Sequence, residues 1–93
     1  MNGINIFHNI DTMERTFNIS KVLFNQNQLI ITIDGQEFKF NTSEISDKLN
    51  KADDRQRNNF IISPSGYGIH WPSLDEDLSI NGLLNLQKNR HVA

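Results

Sequence analysis

The clearest alternation of hydrophobic and polar residues lies in "LIITIDGQEFKF", residues 29–40. Asp34-Gly35 is the dipeptide that favours a two-residue type I′ hairpin turn, because both central residues of that turn need a positive φ. The turn sets the strand register, and alternate side chains then point to the same face of the hairpin. The apolar residues that this register places on one face are Leu29, Ile31, Phe38 and Phe40.

The preceding stretch, "KVLFNQNQLI", predicts a further strand that joins the same sheet. A loop at Gln26-Asn27 places Phe24 opposite Leu29 and Val22 opposite Ile31. Two independent turns then agree on one apolar face, which supports both of them. The three strands carry two apolar rows, Phe24–Leu29–Phe40 and Val22–Ile31–Phe38.

A helix is predicted after this sheet. Ser43 or Thr42 can cap it, and Glu44 suits its first turn because a negative charge there interacts well with the helix dipole. Its apolar residues, at i, i+4 and i+7, are Ile45, Leu49 and Ala52. The following "ADDRQRNN" predicts a polar connection, with room for a short helical turn that starts at Asp53 or Asp54.

A second hairpin is predicted in "FIISPSGYGIHW". It can turn at Ser65-Gly66 or around Pro64-Ser65-Gly66. The first alternative is preferred because it puts Ile62 opposite Ile69 and Phe60 opposite Trp71 on one face, whereas a slip by one residue splits this apolar set. His70 then lies on the opposite face, across from Ile61, and Trp71 is expected in the core.

Pro72 ends that strand because it lacks an amide donor. We interpret "SLDEDLS" as a loop and Ser79 as the cap of a last helix with an apolar stripe at Ile80, Leu83 and Leu84, while Lys88, Arg90 and His91 suit its C-terminal end. The predicted class is α+β: a small antiparallel sheet, β-β-β-α-β-β-α, with helices packed on one face. We predict an arm at residues 1–16, whose Ile4, Ile6 and Phe7 can pack on the sheet or pair with it, one domain at 17–88, and a tail at 89–93.

Composition narrows the functional classes. The 93 residues suit one small domain, 37% of them are hydrophobic, and the net charge is −2. No apolar run is long enough to cross a membrane, no signal peptide is evident, and cysteine is absent. These features predict a cytoplasmic protein without disulfides, thiol chemistry or a cysteine-based zinc site. We do not expect the domain to bind nucleic acid by itself.

Residues 58–84, "NNFIISPSGYGIHWPSLDEDLSINGLL", resemble the C-terminal signature of a bacterial family, domain of unknown function 2442. The Asp-Gly hairpin, the helix with Leu49 and Ala52, and the stretch Gln56-Arg57-Asn58 fit the same family, so the resemblance covers about three quarters of the chain. The chain departs from the family at Asn41-Thr42 and Asp47-Lys48-Leu49, where members often carry prolines.

The resemblance implies a small cytoplasmic bacterial or phage protein without an established activity. Members are frequently encoded beside a second small protein, of domain of unknown function 4160, in pairs that resemble toxin–antitoxin modules. Some members carry an added helix-turn-helix domain, which this chain is too short to include. The alternative function is a nucleic-acid-associated transcriptional regulator that acts as a dimer, and a metal- or acid/base-dependent enzyme is less favoured.

Four residues within the signature invite a chemical interpretation. His70 with Asp75, Glu76 and Asp77 resembles a metal or acid–base cluster, but a metal site needs three or four convergent ligands and only one histidine lies here. We expect instead that Asp75 and Asp77 accept backbone amides around the turn and favour the N-terminus of the last helix. The sequence thus predicts no catalytic residue, cofactor or metal.

The glycines and the remaining charges also have simpler interpretations. Gly66 and Gly68 form a G-x-G that is too weak a signal for a phosphate site, since the turn explains Gly66 and close packing or a bulge can explain Gly68. Tyr67 is expected at the turn, partly exposed to a partner. The basic run at Lys48, Lys51, Arg55 and Arg57 predicts a solvated face.

The sheet face opposite the core is expected to carry Leu23, Ile30 and Ile61. If these three side chains cluster, they exceed what a solvent face usually shows, and the N-terminal arm, a second copy of the chain or another protein can cover them. An open edge strand also invites pairing with a partner strand. The sequence therefore predicts a non-enzymatic protein-interaction module, antitoxin-like or accessory, whose partner is another small protein or a second copy in a homodimer.

Overall fold

The computed structural model describes residues 16–92, with side chains as far as residue 89. Ile4, Ile6 and Phe7 of the predicted arm lie outside the described residues, as do the side chains of Arg90 and His91. The elements in chain order are β1 (Ile19–Asn25), β2 (Gln28–Ile33), β3 (Gln36–Asn41), α1 (Thr42–Ile45), α2 (Asp47–Lys51), α3 (Asp54–Arg57), β4 (Ile61–Ile62), β5 (Gly68–Trp71), a 3₁₀ turn (Pro72–Leu74), β6 (Glu76–Ser79) and α4 (Ile80–Val92).

The first sheet, β1-β2-β3, is antiparallel, and the predicted pairs are confirmed. An irregularity between Ile19 and Lys21 shifts the register at the start of β1, so that Ile19 lies opposite Ile33. Asp34 and Gly35 have φ values of 50° and 84°, as a type I′ turn requires. At the other turn Gln26 has a φ of 56°. The register places Phe24 opposite Leu29 and Leu29 opposite Phe40, so the two predicted apolar rows are confirmed.

The predicted single helix after the first sheet is wrong, because the chain breaks at Ser46 into α1 and α2. Ser46 has extended backbone angles, and its Oγ accepts the backbone N–H of Leu49 at 3.0 Å, so it caps α2. Neither Thr42 nor Ser43 caps α1, whose N-cap is Asn41 without a side-chain hydrogen bond. The short turn predicted at Asp53 or Asp54 is confirmed as α3, which Asp53 and Gln56 close with a capping box.

The second sheet, β4-β5-β6, contains the predicted second hairpin. Ile62 pairs with Ile69, as the preferred register requires. The backbone N–H of Gly66 bonds to Ser63 O at 2.9 Å, so the reversal begins one residue before Ser65-Gly66, at Pro64. The register of the hairpin is unchanged by this difference.

Strand β6 corrects the prediction of a loop after Pro72. Pro72 does end β5, and the chain then makes a 3₁₀ turn to Asp75, whose φ of 52° is left-handed. That conformation reverses the chain, so Glu76–Ser79 pairs back against β5. The predicted α+β class and the order of the predicted elements are confirmed, but the described strands form two small sheets instead of one.

Both sheets contribute to one hydrophobic core. Trp71 is fully buried, as predicted, and its Nε1 donates to Arg57 O at 2.9 Å. Ser79 caps α4 as predicted, because its Oγ accepts the N–H of Gly82 at 2.8 Å. No helix within residues 16–92 is both long and apolar enough to cross a bilayer. The buried residues of the core cluster are Phe17, Ile31, Ile33, Phe40, Leu49, Ile69, Trp71, Ile80 and Leu83.

Candidate functional site

The outer face of the second sheet carries a row of three side chains, one from each strand. Ile61 on β4 pairs with His70 on β5, which pairs with Asp77 on β6. Ile61 is 58% exposed, and the Nδ1 of His70 lies 2.7 Å from Oδ1 of Asp77. The prediction that His70 faces outward across from Ile61 is confirmed. We call Ile61, His70 and Asp77 the outer row.

The three acidic residues of "DED", Asp75, Glu76 and Asp77, make different contacts. Asp75 occupies the left-handed position, and its backbone O accepts Lys48 Nζ at 2.9 Å. The carboxylate of Glu76 accepts the Ser46 hydroxyl through Oε2 and the backbone N–H of Asp77 through Oε1. Only Asp77 joins His70. The expectation that the side chains of Asp75 and Asp77 accept backbone amides is wrong, because the amide is accepted by Glu76 instead. In β6 Glu76 pairs with Trp71, so its side chain lies on the sheet face opposite that of His70.

The backbone amides of Gly66 and Gly68 form hydrogen bonds within the second hairpin. Gly66 has a φ of 70°, and a Cβ there would lie 2.0 Å from Phe17 O. The backbone N–H of Gly66 donates to Ser63 O, and that of Gly68 donates to Ser63 Oγ at 3.0 Å. Neither amide is left to hold a phosphate. Tyr67 is half-buried, and its backbone O accepts the N–H of Ile80 at 2.8 Å.

The predicted apolar cluster is divided between the two sheets. Leu23, which is 38% exposed, pairs with Ile30 on the outer face of the first sheet, but Ile30 is only 8% exposed. Ile61 belongs to the second sheet. Polar pairs flank Leu23 and Ile30 on both sides: Lys21 with Glu37 at 3.0 Å, and Gln28 with Asn41 at 3.2 Å. The outer faces are thus two separate surfaces, and the second sheet carries the more exposed aliphatic side chain.

Arg57 is the residue whose place sequence reasoning missed. The prediction of a solvated face is wrong for this residue, because it is only 6% exposed and its guanidinium lies 5.4 Å from the centre of the Phe24 ring. Its side chain donates to four acceptors at the end of α2 and at the β1–β2 turn, namely Leu49 O (3.0 Å), Gln26 O (2.7 Å), Asn27 Oδ1 (3.3 Å) and Asn50 O (3.3 Å). The spacing of charges gave no sign of this; the only signal was the place of Gln56-Arg57-Asn58 in the family resemblance.

A groove of about 340 Å³ adjoins the outer row at the edge of β6. Asp77 belongs to both features. Apart from Asp77 and Glu44, the lining is aliphatic or small. The residues that line this edge groove are Glu44, Ile45, Asp77, Leu78, Ser79, Gly82, Leu83 and Leu86. Among the side chains of residues 16–89, no three from His, Asp or Glu are grouped as metal ligands would be.

These features define a small α+β domain with two antiparallel sheets on one core and an exposed outer row on the second sheet. Comparison with known proteins identifies the family of this domain. Residues 19–89 match the family described as "Protein of unknown function (DUF2442)", and the chain belongs to this family.

Two solved structures are similar to this chain. One is a crystal structure of a protein of unknown function from Rhodospirillum rubrum, with 30% identity over 74% of this chain and 86% of that one and a TM-score of 0.61. The other is a solution NMR structure of an uncharacterized protein from Chromobacterium violaceum, with 22% identity over 88% of this chain and 74% of that one and a TM-score of 0.60. The second likeness concerns the fold alone. No curated protein matches the chain.

Proposed function

We propose that this protein is a non-enzymatic protein-binding module, the antitoxin-like or accessory member of a two-protein bacterial or phage module. The observation that carries the proposal is the outer row, in which an isoleucine that is 58% exposed lies beside an exposed His–Asp pair. A single exposed aliphatic residue is ordinary on a protein surface. This one lies on a sheet face that leads to an apolar groove, and that combination suits a binding surface.

The openness of the outer row supports binding over catalysis. The side chains of His70 and Asp77 are 38% and 65% exposed, so water reaches both groups. Acid–base catalysis is most effective in an enclosed site, because the exclusion of water strengthens the electrostatic interactions inside it. An exposed imidazole beside a carboxylate is better suited to hydrogen bonding with polar groups at the rim of a protein interface.

The basic run gives little support to nucleic-acid binding. Arg57 is buried, Lys51 pairs with Asp47 at 3.1 Å, and Lys48 bonds to Asp75 O. Binding to phosphate backbones relies on several lysines or arginines that face outward together. The regulator alternative therefore has no specific observation in its favour.

The proposal is tested by co-expression with the product of the adjacent gene, for which the family resemblance implies a protein of domain of unknown function 4160. We expect one peak that contains both proteins on size-exclusion chromatography at micromolar concentration. Two separate peaks would overturn the proposal.

A pair of variants tests the surface. Ile61→Lys should weaken the complex at least about tenfold, because a buried aliphatic contact is worth about 1.5–3 kcal/mol. Leu23→Lys is the matched control, since it makes the same kind of change at an exposed aliphatic residue on the first sheet. If both variants weaken the complex equally, the outer row is not the binding surface.

A further inference from the structure

We infer that the edge groove binds a segment of the partner protein in which aliphatic side chains alternate with lysine or arginine. The inference rests on the proposed function and specifies the chemistry of the partner. It depends on three properties of the groove: its apolar floor, the sign of the charges at its rim, and the way its neighbouring strand edge is occupied.

The floor of the edge groove is apolar and open. Ile45, Leu78 and Leu86 are half-buried, and Leu83 is buried beneath them. Gly82 adds no side chain to the lining, and a Cβ there would lie 2.8 Å from Ser79 Oγ. The volume of about 340 Å³ is near the lower end of the roughly 300–1,000 Å³ that ligand pockets occupy, so the groove suits the side chains of a short segment better than a large cofactor.

The rim of the edge groove is acidic. Glu44 on α1 and Asp77 on β6 both line it, and none of its lining residues within the described part of the chain is basic. Both side chains are exposed. A segment that places aliphatic side chains on the floor brings its neighbouring residues to this rim, where positive charge is favoured and negative charge is repelled.

Strand addition at β6 is disfavoured, so side chains must provide the recognition. β6 pairs only with β5 among the described strands. Its free edge is partly occupied, however, since the backbone N–H of Asp77 already donates to Glu76 Oε1 at 3.1 Å and Ser46 approaches the same carboxylate. A charged or internally bonded edge resists pairing with another strand.

Labelled eight-residue peptides test the inference by fluorescence anisotropy. The probe is an acetylated, amidated peptide of alternating leucine and lysine, compared with a leucine–glutamate peptide and a serine–lysine peptide. We expect the leucine–lysine peptide to bind at least about tenfold more tightly than either of the others, since it alone offers both apolar contact and positive charge. Equal binding of the three peptides, or none by any, would overturn the inference.

Two variants and two controls locate the binding. The double variant Glu44→Gln, Asp77→Asn should weaken the leucine–lysine peptide about tenfold and reduce its salt dependence, while Asp54→Asn, outside the groove, should not. Gly82→Met fills the groove and should weaken peptide binding as much as the double variant does. Its control is Asn85→Met, which adds a similar side chain to α4 beside a different groove. Circular dichroism and the melting temperature show whether each variant folds.

The same variants separate this inference from the proposed function. If the complex with the adjacent gene product forms and neither groove variant weakens it, the groove inference is wrong and the proposed function stands. If no complex forms with the unaltered chain, the proposed function is wrong, whatever the peptides do. If the control variants weaken peptide binding as much as the groove variants, the peptide binds elsewhere and the inference is overturned.

Discussion

The two sheets differ in what holds their strands in place. β1 has seven residues, β2 and β3 have six each, and two short turns with left-handed residues join them. In the second sheet β4 has two residues, and β5 and β6 have four each. Contacts from distant parts of the chain support it, such as the backbone N–H of Phe17 that donates to Ser65 O at 3.0 Å.

This difference separates local from tertiary determinants of structure. A long hairpin with a favourable turn sets its own register, because the turn and each alternating apolar pair along the strands favour the same alignment. Short strands have few such pairs, so their alignment depends on the elements packed against them. The proposed binding surface lies on the second sheet, so its shape depends on residues that lie outside that surface.

Replacing Arg57 should have the largest effect, because its side chain links the β1–β2 turn of the first sheet to the end of α2. Arg57→Ala removes the side-chain hydrogen bonds to Leu49 O, Gln26 O and Asn50 O and should lower the free energy of unfolding by about 3–5 kcal/mol. Urea denaturation measures this loss. Arg55→Ala, at the exposed neighbouring arginine, should change stability by less than about 0.5 kcal/mol. Similar losses in both variants would show that the Arg57 contacts carry no special weight.

The turn glycines give the most direct comparison of the two sheets. Gly35→Ala meets no atom within 4 Å and should cost about 1–2 kcal/mol, the usual penalty for a left-handed alanine. Gly66→Ala has the same penalty and also places its Cβ against the backbone of Phe17, so we expect at least about 1–2 kcal/mol more. Thermal unfolding of the two variants checks this order. An equal cost would mean that the Phe17 segment moves aside freely and that the second hairpin is held locally.

The same distinction explains which predictions from sequence were correct. The register of the first sheet was predicted from the two turns, Asp34-Gly35 and Gln26-Asn27, and from the alternation around them, apart from the shift at the start of β1. The break at Ser46 was not predicted, because the helical spacing of Ile45 and Leu49 continues across it. The Ser46 hydroxyl that caps α2 also donates to Glu76, 30 residues later in the chain, and that contact cannot be read from the local pattern.

The candidate site was predicted in part for the same reason. The pairing of Ile61 with His70 follows from the second hairpin, so the outward direction of His70 was predictable. β6 was not, since only the left-handed turn at Asp75 brings "EDLS" back to the sheet. Without β6 the partnership of His70 with Asp77 and the edge groove could not be foreseen. The burial of Arg57 likewise depends on acceptors from two separate segments, the end of α2 and the β1–β2 turn.

The smallest expected effect concerns the ion pair on the outer face of the first sheet. Lys21 bonds to Glu37 at 3.0 Å and lowers the pKa of that carboxyl from 4.5, through the hydrogen bond first and charge attraction second. Since the folded state holds this proton less tightly than the unfolded state, the contribution to stability is present above pH 4.5 and is lost as the pH falls through the lowered pKa. The contribution is small because the pair is exposed.

An NMR titration of the Glu37 carboxyl in the unaltered chain and in Lys21→Met measures this pKa, and the variant should return it toward 4.5. Lys51→Met, which removes an i,i+4 pair with Asp47 on α2, is the control and should leave Glu37 unchanged. A pKa of Glu37 that does not move in Lys21→Met would show that the pair does not persist in solution. The first sheet would then depend on its turns and apolar rows alone, which would widen its contrast with the second sheet.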